Sequence, residues 1–599
     1  TSTESQLLAD DFVRTAGATL NVRGRDLGAV NTVRTTQLRI NNTANQTAFI
    51  DAMVGGDGST ATNLDIVPWA MGENFTATGV PGNAMGNSLV TYVAGRGFTA
   101  LDLVSGYATL AGSSDATDNV RESLTGDLTG LMSQTVNALV IHNDNTVAST
   151  ISVMGTGTGS QVLTNTTGTF LFTQNIGADA SSAHSTILGG FDGGIATAGT
   201  EYNFFVVDPT SAATTATTTA QVDSALISNA DIVKSGRGTL IFTAANTAGG
   251  GTNRTVINEG TLEISALDQI GGTMGDLVFA GGALRLGTGF SDDLSTRTVS
   301  ILNGGATIDT NGASVAVGAI GGGGSGDLTK LGAGTLTLSA GSTHTGDTNI
   351  DEGGLVLGVN DAISATGVLR VGNGSTIASL DLNGFDLTIG ALEARANNAA
   401  ASTVTVDSGN TLTINGGILL SNNTDNGNTD LTIDGGGDVI VNGRSIVVGL
   451  NAGGGNSSSE ATLDVSATNS FTATLTEGIV IQQQGDNNGN DPASFILSDT
   501  ANTITDHRGC QRDRYDHDAA FTETWRRHER HQHQPHLPWK RNTRCWVHRL
   551  RWPDGHGGAE GCSLHGTRGH HHGARGRSRN WVHHGQSDRC DWPRRWPRR

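Results

Sequence analysis

The stretch that decides the fold is Lys330-Leu-Gly-Ala-Gly-Thr-Leu-Thr-Leu338, because the chain contains a second, similar copy of it. The other copy is Lys234-Ser-Gly-Arg-Gly-Thr-Leu-Ile-Phe242. In both copies a lysine precedes two glycines, and a short alternating segment follows. Short strands and glycine turns that recur at a long period are typical of a solenoid. We therefore expect the two copies to occupy equivalent positions in stacked coils.

Further echoes follow in the same order but at different spacings. Asn258-Glu-Gly-Thr-Leu-Glu-Ile264 corresponds to Asp351-Glu-Gly-Gly-Leu-Val-Leu357. Residues 282–287 correspond to 367–372, and an Asp-x-Asn-Gly motif at 309–312 recurs at 381–384. The interval between the copies becomes shorter with each echo. Spacers that shrink while the elements keep their order indicate insertions in loops rather than in strands.

The repeated segments predict strands and tight turns. Thr335-Leu-Thr-Leu-Ser339 alternates polar and apolar residues, which places both leucines on one face of a strand. The Asn-Gly pairs at 311–312 and 383–384 predict tight turns, since both residue types tolerate positive φ. Lys and Glu are sparse, whereas Thr, Val, Asn and Gly are abundant. This composition favours strands over helices.

Residues 328–339, followed by 346–355, resemble the autotransporter-associated β-strand repeat found in the passenger regions of secreted bacterial surface proteins. Residues 234–264 are similar but looser, and the resemblance covers about residues 231–392 well. The resemblance implies a right-handed parallel β-helix and a contribution to passenger export and folding. It supplies no catalytic residues.

Charge and cysteine are distributed unevenly along the chain. Residues 1–500 contain 16 Lys and Arg against 46 Asp and Glu and no cysteine, whereas residues 501–599 carry a net charge of +10. A cysteine-free chain suits export, and an acidic, lysine-poor surface argues against nucleic acid. No apolar run reaches the roughly 18 residues of a membrane span. The start, Thr1-Ser-Thr-Glu4, is not a signal peptide, so we expect a mature form or a fragment.

Residues 506–599 differ in composition from the rest, with seven of the eight Trp and 14 of the 17 His. One interpretation is a zinc domain, but Cys510, Cys545, Cys562 and Cys590 form no CxxC pair. The other is a shifted reading frame near Asp506. Read one base later, the His and Gln codons at 531–534 encode Thr or Ile and Asn or Ser, which restores the Thr- and Asn-rich texture of residues 1–500. We favour the frameshift, predict a disordered tail, and assign its Cys, His and Trp no function.

Three histidines lie within 1–500: His142, His184 and His344. They are far apart in sequence, which does not suggest a metal pair. His142 follows an apolar strand and is interpreted as a strand-end residue. All three are predicted to be solvated turn residues.

The acidic pairs and glycine runs give no stronger indication of a site. A β-helical polysaccharide lyase combines calcium-binding carboxylates with a basic group. No Lys or Arg cluster accompanies Asp292-Asp293 or Asp351-Glu352. The glycine runs at 321–327 and 434–438 lack the tandem GGxGxD spacing of calcium-binding repeats. We therefore predict no catalytic, cofactor or metal site.

Aromatic residues are a feature of the more varied N-terminal region, 1–225. Trp69, Tyr92 and Phe98 could form a platform on which a sugar stacks, or they could cap the open end of the solenoid core. The segment 202–207, Tyr-Asn-Phe-Phe-Val-Val, leaves the same two alternatives open. We favour the cap.

The predicted fold is an all-β, right-handed parallel β-helix over about residues 1–505. We divide it into an N-terminal solenoid region with a cap (1–225), the repeats (226–395) and further coils (396–505), followed by the tail (506–599). Roughly 20 coils stacked about 4.8 Å apart would extend on the order of 100 Å.

The function we expect is that of an adhesin-like passenger, secreted or displayed at the outer membrane of a Gram-negative-type bacterium. A polysaccharide-active lyase or hydrolase and a self-assembling extracellular filament subunit are the alternatives. Expected partners are a host, matrix or polysaccharide surface, and copies of the chain associating end to end. The outer-membrane translocation machinery or barrel is expected to lie outside this sequence.

Overall fold

The computed structural model describes twelve segments of the chain and four short strands beyond them, at residues 5–28, 35–56, 60–75, 87–110, 115–174, 183–208, 217–374, 376–396, 401–422, 429–451, 461–481, 493–506, 511–514, 520–522, 546–549 and 560–563. The chain divides into two units, Thr1–Trp525 and Arg526–Arg599.

The first part of the larger unit is a small mixed module. Its elements are β1 (Ser5–Ala9), β2 (Leu20–Arg25), β3 (Thr36–Ile40), α1 (Thr43–Asp51), β4 (Ala70–Phe75), β5 (Ser88–Val93) and β6 (Gly97–Ala100). Strands β1 and β3 pair in parallel, as do β2 and β4, whereas β4, β5 and β6 pair antiparallel. Asn42 begins the helix by accepting hydrogen bonds from the backbone N–H of Ala44 and Asn45.

A long series of short strands follows. The first group is β7 (Asn119–Leu124), β8 (Leu128–Leu131), β9 (Gln134–Val136), β10 (Ala138–Asn143), β11 (Ser149–Gly155), β12 (Val162–Asn165), β13 (Thr169–Gln174), β14 (His184–Gly189), β15 (Gly194–Ala196), β16 (Glu201–Val206), β17 (Thr218–Val222), β18 (Asp231–Ser235) and β19 (Thr239–Phe242). The second is β20 (Arg254–Ile257), β21 (Thr261–Ile264), a 3-10 helix (Leu267–Ile270), β22 (Asp276–Phe279), β23 (Ala283–Leu286), β24 (Val299–Ile301), β25 (Ala306–Asp309), β26 (Val315–Val317), β27 (Ile320–Gly321), β28 (Leu328–Leu331), β29 (Thr335–Leu338), β30 (Thr348–Ile350) and β31 (Gly353–Leu357). The third is β32 (Val368–Gly374), β33 (Ala378–Asp381), β34 (Leu387–Ile389), β35 (Ala391–Ala396), β36 (Ser402–Thr405), β37 (Thr411–Ile414), β38 (Gly417–Asn422), β39 (Thr429–Asp434), β40 (Asp438–Asn451), β41 (Ala461–Asp464), β42 (Ser470–Ile481), β43 (Ala493–Ile496) and β44 (Asn502–Asp506).

These strands form the three parallel faces of a β-helix, as the sequence predicts. The first sheet is β7-β10-β13-β16-β18-β20-β22-β24-β27. The second sheet runs from β8 through β11, β14, β17, β19, β21, β23, β25, β28, β30, β32, β35 and β38 into β40 and β42. The third is β9-β12-β15 and, farther on, β26-β29-β31-β33-β36-β39-β41-β43. Strands β34, β37 and β44 and the first halves of β40 and β42 take the remaining face in the last coils.

The coils differ in length. In the most regular part, Thr239 pairs with Thr261, which pairs with Ala283 at the same interval along the chain. The interval from His184 to its partner Thr218 in the next coil is half as long again. In the described part of the chain the second sheet has the fifteen strands named above, against roughly 20 expected coils. The number is smaller because the coils begin at β7 rather than near residue 1 and several carry insertions.

Inward side chains stack into ladders that form the core. Leu240, Leu262, Leu284 and Ile308 occupy one such ladder in the second sheet, and each is almost completely buried. Burial of each aliphatic side chain contributes about 1.5–3 kcal/mol. Leu336 is likewise buried, so the prediction that the leucines of both motif copies face inward is confirmed.

The N-terminal module packs on the outer side of the first sheet. Val140, Leu171 and Phe205 point outward from β10, β13 and β16, yet they are buried against Met71 and Leu89 of the module. These strands therefore read as continuous apolar runs, which is the pattern of a sheet covered on both faces.

The parallel stacking ends at β44. The next strands, β45 (Gln511–Arg514) and β46 (Ala520–Thr522), pair antiparallel with β44 and β43. The smaller unit contains an antiparallel pair, β47 (Trp546–Arg549) and β48 (Glu560–Ser563). The predicted disorder of the tail concerns residues that lie almost entirely outside the described ones.

Within the described part of the chain, no helix has the length and apolar character needed to cross a membrane.

Candidate functional site

The lysine of the repeated motif is an interior residue. Lys234 lies in an inward ladder of the first sheet, between Phe204 and Ile257, and its side chain is fully buried. Its Nζ donates hydrogen bonds to the carbonyl oxygens of Ser235 at 3.1 Å, Gly236 at 2.6 Å and Glu259 at 3.0 Å. The first two acceptors belong to the turn that follows the lysine, and the third belongs to the next coil.

Lys330 repeats this arrangement in the second sheet. It lies between Ile308 and Ile350 and is fully buried. Its Nζ donates to the carbonyl oxygens of Leu331 at 2.9 Å, Gly332 at 2.5 Å and Glu352 at 2.9 Å. The two copies therefore build the same local structure from the same residue types.

Burial acts against the charge of both lysines. It lowers the pKa of Lys234 to about 7 and that of Lys330 to about 8, while Glu259 and Glu352 oppose the shift. Three carbonyl oxygens match the three N–H bonds of an ammonium group, an arrangement that favours the charged form. An amine bound in this way and shielded from solvent holds the backbone and is not accessible to a substrate.

Glycine is required where the turn follows the lysine. Gly236 has φ of 74° and Gly332 has φ of 79°, in the left-handed region. A Cβ on Gly236 would also lie 2.4 Å from the carbonyl oxygen of Val206 in the preceding coil. The first glycine of the motif therefore permits close stacking of successive corners.

The two copies do not occupy equivalent positions around the coil, so that expectation is wrong. Lys234 lies in the first sheet and its turn leads into β19 of the second. Lys330 lies in the second sheet and its turn leads into β29 of the third. The motif specifies a strand–turn–strand corner, and the number of residues between copies determines which corner it forms.

A third buried cation has no counterpart in the repeated motifs. Arg297, 2% exposed, donates from Nη1 to the carbonyl oxygens of Ile270 at 2.9 Å and Gly272 at 2.7 Å, and from Nη2 to that of Gly249 at 2.9 Å. Burial lowers its pKa to about 10. Sequence reasoning missed this residue, since a single Arg in a Ser/Thr-rich segment carries no periodic signal.

The three histidines do not come together in a catalytic arrangement. His142 Nδ1 lies 2.8 Å from Thr173 Oγ1, and burial lowers its pKa to about 4. His184 and His344 are only 3% and 2% exposed. The interpretation of these two as solvated turn residues is therefore wrong, because both side chains are buried, with Nδ1 of His184 beside Ser149 Oγ and Nδ1 of His344 beside Ser342 Oγ.

The acidic pairs are engaged in local backbone and side-chain contacts. Asp292 Oδ2 accepts the N–H of Leu267 at 2.7 Å, and Asp293 Oδ1 accepts that of Ser295 at 2.9 Å. Asp351 Oδ2 accepts from the side-chain amide of Asn373. Among the described residues, no three His, Cys, Asp or Glu side chains are placed so that they could hold a metal ion.

The aromatic residues of the module pack mainly on one another. Tyr92 and Phe98 are buried, with ring centroids 5.2 Å apart, which leaves neither ring free to stack on a ligand. Trp69 is stacked on Phe12 at 6.5 Å, and the Arg14 guanidinium lies 5.4 Å from its ring centroid. The groove beside Trp69 has a volume of about 170 Å³. Packing accounts for Tyr92 and Phe98, whereas Trp69 borders an accessible space.

Two segments of the chain match the model of a known family. Residues 232–264 and 328–357 match the model of the passenger-associated-transport-repeat family. The chain is also similar to the adhesin BmaC autotransporter of Brucella suis biovar 1 (strain 1330), with 32% identity over 202 residues. That similarity covers 31% of this chain and spans 5% of the length of the relative. No solved structure matches.

Proposed function

We propose that this chain, an autotransporter-associated repeat protein, is a surface-displayed or secreted passenger that acts as an adhesin. The observation that carries the proposal is the pair of passenger-associated-transport repeats, together with the similarity to an autotransporter adhesin. Both repeats lie inside the β-helix and form its corners. In this proposal they belong to the scaffold, and adhesion belongs to the surface that the scaffold presents.

The construction of the coils supports a display role. The parallel ladders tolerate coils of very different length, since the paired residues His184 and Thr218, or Ile446 and Ile479, are much farther apart in sequence than Thr239 and Thr261. Most of the extra residues enter between strands, and the parallel pairing continues past local register shifts such as the one between Gly443 and Ser445 of β40. A scaffold of this type can vary its connecting segments, where binding residues concentrate in many folds, without losing its core.

The composition supports an extracellular partner of neutral or basic character. The outward positions of β33, β36, β39 and β41 carry Ser379, Asp381, Thr403, Thr405, Asp430, Thr432, Asp434, Thr462 and Asp464, and no Lys or Arg. Hydroxyl and carboxylate groups on the outer face of a sheet suit hydrogen bonding to a matrix protein or a polysaccharide.

Adhesion is tested by immobilising the full chain and measuring its binding to a panel of extracellular matrix proteins and polysaccharides. We expect saturable binding to at least one member that is retained in an Asp292→Asn/Asp293→Asn variant. Absence of binding to every member would contradict the proposal. Polysaccharide cleavage that disappears in the same variant would instead assign the chain to the β-helical enzymes.

A further inference from the structure

Three buried cations stand at three different corners of the β-helix. Lys234 lies at the end of a first-sheet strand and Lys330 at the end of a second-sheet strand. Arg297 lies between Leu294, which bridges to the third sheet, and β24 of the first. Each cation binds three backbone carbonyl oxygens at 2.5–3.1 Å.

The acceptors of each cation come from more than one coil. Lys234 joins its own turn to Glu259, and Lys330 joins its own turn to Glu352, each in the following coil. Arg297 reaches Ile270 in the preceding coil and Gly249 in the one before that. The side chains therefore link consecutive coils.

These contacts lie at the corners of the coils and not along the strands. Strand carbonyls are satisfied by the parallel ladders, but at a corner the chain turns from one face to the next and the ladder is interrupted. Buried carbonyl groups without a partner are costly. Each cation supplies three further donors to the carbonyl groups of its corner, of which that of Leu331 also accepts the N–H of Thr310 at 2.9 Å.

Lys234 binds the backbone of Glu259 and not its carboxylate. Lys234 binds the main-chain carbonyl of Glu259, whereas the Glu259 carboxylate pairs with the exposed Arg237 at 3.1 Å. The interaction is thus between a charge and backbone dipoles, and it depends on the geometry of the corner.

We propose that Lys234, Arg297 and Lys330 are corner latches. Each holds one corner of a coil against its neighbour, and removal of the cation opens that corner locally while the flanking sheets remain paired. The passenger-associated-transport repeat is, on this proposal, the sequence unit that supplies a lysine latch with its glycine turn. The proposal concerns the scaffold and does not depend on the chain being an adhesin.

Replacing the latch lysine by methionine distinguishes a role in binding carbonyl groups from a role in filling space. The ladder neighbours of Lys330 are Ile308 and Ile350, so methionine fits the local chemistry and the site is long enough for it. Replacing a buried charge by an apolar side chain of similar size is often neutral or stabilising. If Lys330 only fills space, Lys330→Met leaves the corner closed.

The experiment is hydrogen–deuterium exchange on the full chain, comparing Lys330→Met with the matched control Ile308→Met in the same ladder. We expect exchange in peptides covering 331–335 and 351–355 to accelerate about tenfold or more in Lys330→Met, because three carbonyl contacts are lost at that corner. Peptides covering 235–239 and 258–261 should not change. Lys234→Met should give the converse pattern.

Lys330→Arg keeps the charge and the donors, and we expect it to restore most of the protection. If Lys330→Met does not fold while Ile308→Met and Lys330→Arg do, the cation is required for the whole fold, and the proposal of a local latch is overturned. Unchanged exchange in Lys330→Met, or a uniform acceleration along all coils, overturns the local latch. Failure of Lys330→Arg and Ile308→Met to fold alongside Lys330→Met also overturns it, since any change in the ladder is then disruptive.

Discussion

At Leu336, the alternation of one short strand decides which side chain is interior and which faces solvent. Leu336 lies in a ladder between Val315 and Leu355 and is fully buried, while the next residue, Thr337, faces outward. We expect Leu336→Asp to lower the free energy of unfolding by several kcal/mol, because it buries a charge with no partner.

The matched control is Thr337→Asp, which places the same carboxylate one residue on and outside the core. The free energy of unfolding of this variant should stay within about 0.5 kcal/mol of that of the unsubstituted protein. Urea denaturation of both variants provides the measurement. Similar midpoints for the two variants would mean that the predicted inward and outward faces are not those of the protein.

The half-buried His142 is expected to make the stability of the protein depend on acid pH. Burial, with a smaller contribution from Arg121, lowers the pKa of His142 to about 4, whereas an unfolded histidine titrates near 6.5. Below about pH 6.5 the unfolded chain therefore binds the proton more readily, and stability falls until the pH passes the folded-state value near 4. The loss is at most about 1.4 kcal/mol for each pH unit.

We expect His142→Gln to reduce the loss of stability between pH 7 and pH 4.5, since glutamine can still pair with Thr173 but cannot gain a proton. Urea midpoints at the two pH values measure the effect. The pKa values of His184 and His344 are also lowered by burial, so part of the acid sensitivity should remain. A pH dependence identical to that of the unsubstituted protein would show that His142 does not contribute.

Among the elements, the repeated strand–turn–strand corner has the same local structure in both copies, but the two copies lie on different faces of the coil. Four coils of the first sheet separate Ile232 from Ile320, through Thr255, Leu277 and Val299. The interval between the motif copies, from 234 to 330, is longer than these four coils, and the additional residues carry the second copy to the next face. The two copies of the Asp-x-Asn-Gly turn also lie on different faces of the coil. The echo at 282–287 and 367–372 does not shift, because residues 284 and 369 both lie in the second sheet.

This difference shows how far the sequence could predict the structure. Period-two alternation and glycine turns identify strands such as β29 and corners such as the one after Lys330, because both are local properties. The face on which a corner lies depends on the summed length of the preceding coils. No local pattern around Arg297 or His344 indicates that these polar side chains are buried, since their surroundings come from neighbouring coils.

Because β16 is buried on both faces, a substitution in this strand can test how the N-terminal module is attached. Phe205 points outward from this strand and is 1% exposed because the module covers it. We expect Phe205→Ala to destabilise this interface by about 3 kcal/mol and to increase hydrogen exchange in β4 and β5. Exchange in β21 and β23, which lie farther along the β-helix, should remain unchanged.

The control for this variant is Ile241→Ala, which truncates an outward, half-buried side chain of the second sheet. It should leave exchange in β4 and β5 as it is. Equal acceleration in the module for both variants would mean that the module is coupled to the whole β-helix and not to the outer face of the first sheet.

For the molecule as a whole, a single assembly rule holds from β7 to β44: each coil adds a strand in parallel to the strand of the coil before it. The rule ends at Asp506, and the strands β45 and β46 that follow pair antiparallel. The same position is where the acidic, cysteine-free composition gives way to a basic one rich in Trp, His and Cys. A shifted reading frame explains both the change in strand pairing and the change in amino-acid composition at this residue.

We therefore predict that the coding DNA contains a single-base insertion or deletion near codon 506. Read one base later, residues 531–534 become Thr or Ile alternating with Asn or Ser, and the Trp-Arg pair at 525–526 contains a glycine codon. These are strand and turn residues of the kind that build β33 to β44, so the corrected chain should add further parallel coils after β44. Sequencing the DNA across this codon decides the matter. A read that agrees with the sequence as printed would show that the basic segment is native and that the β-helix ends with β44.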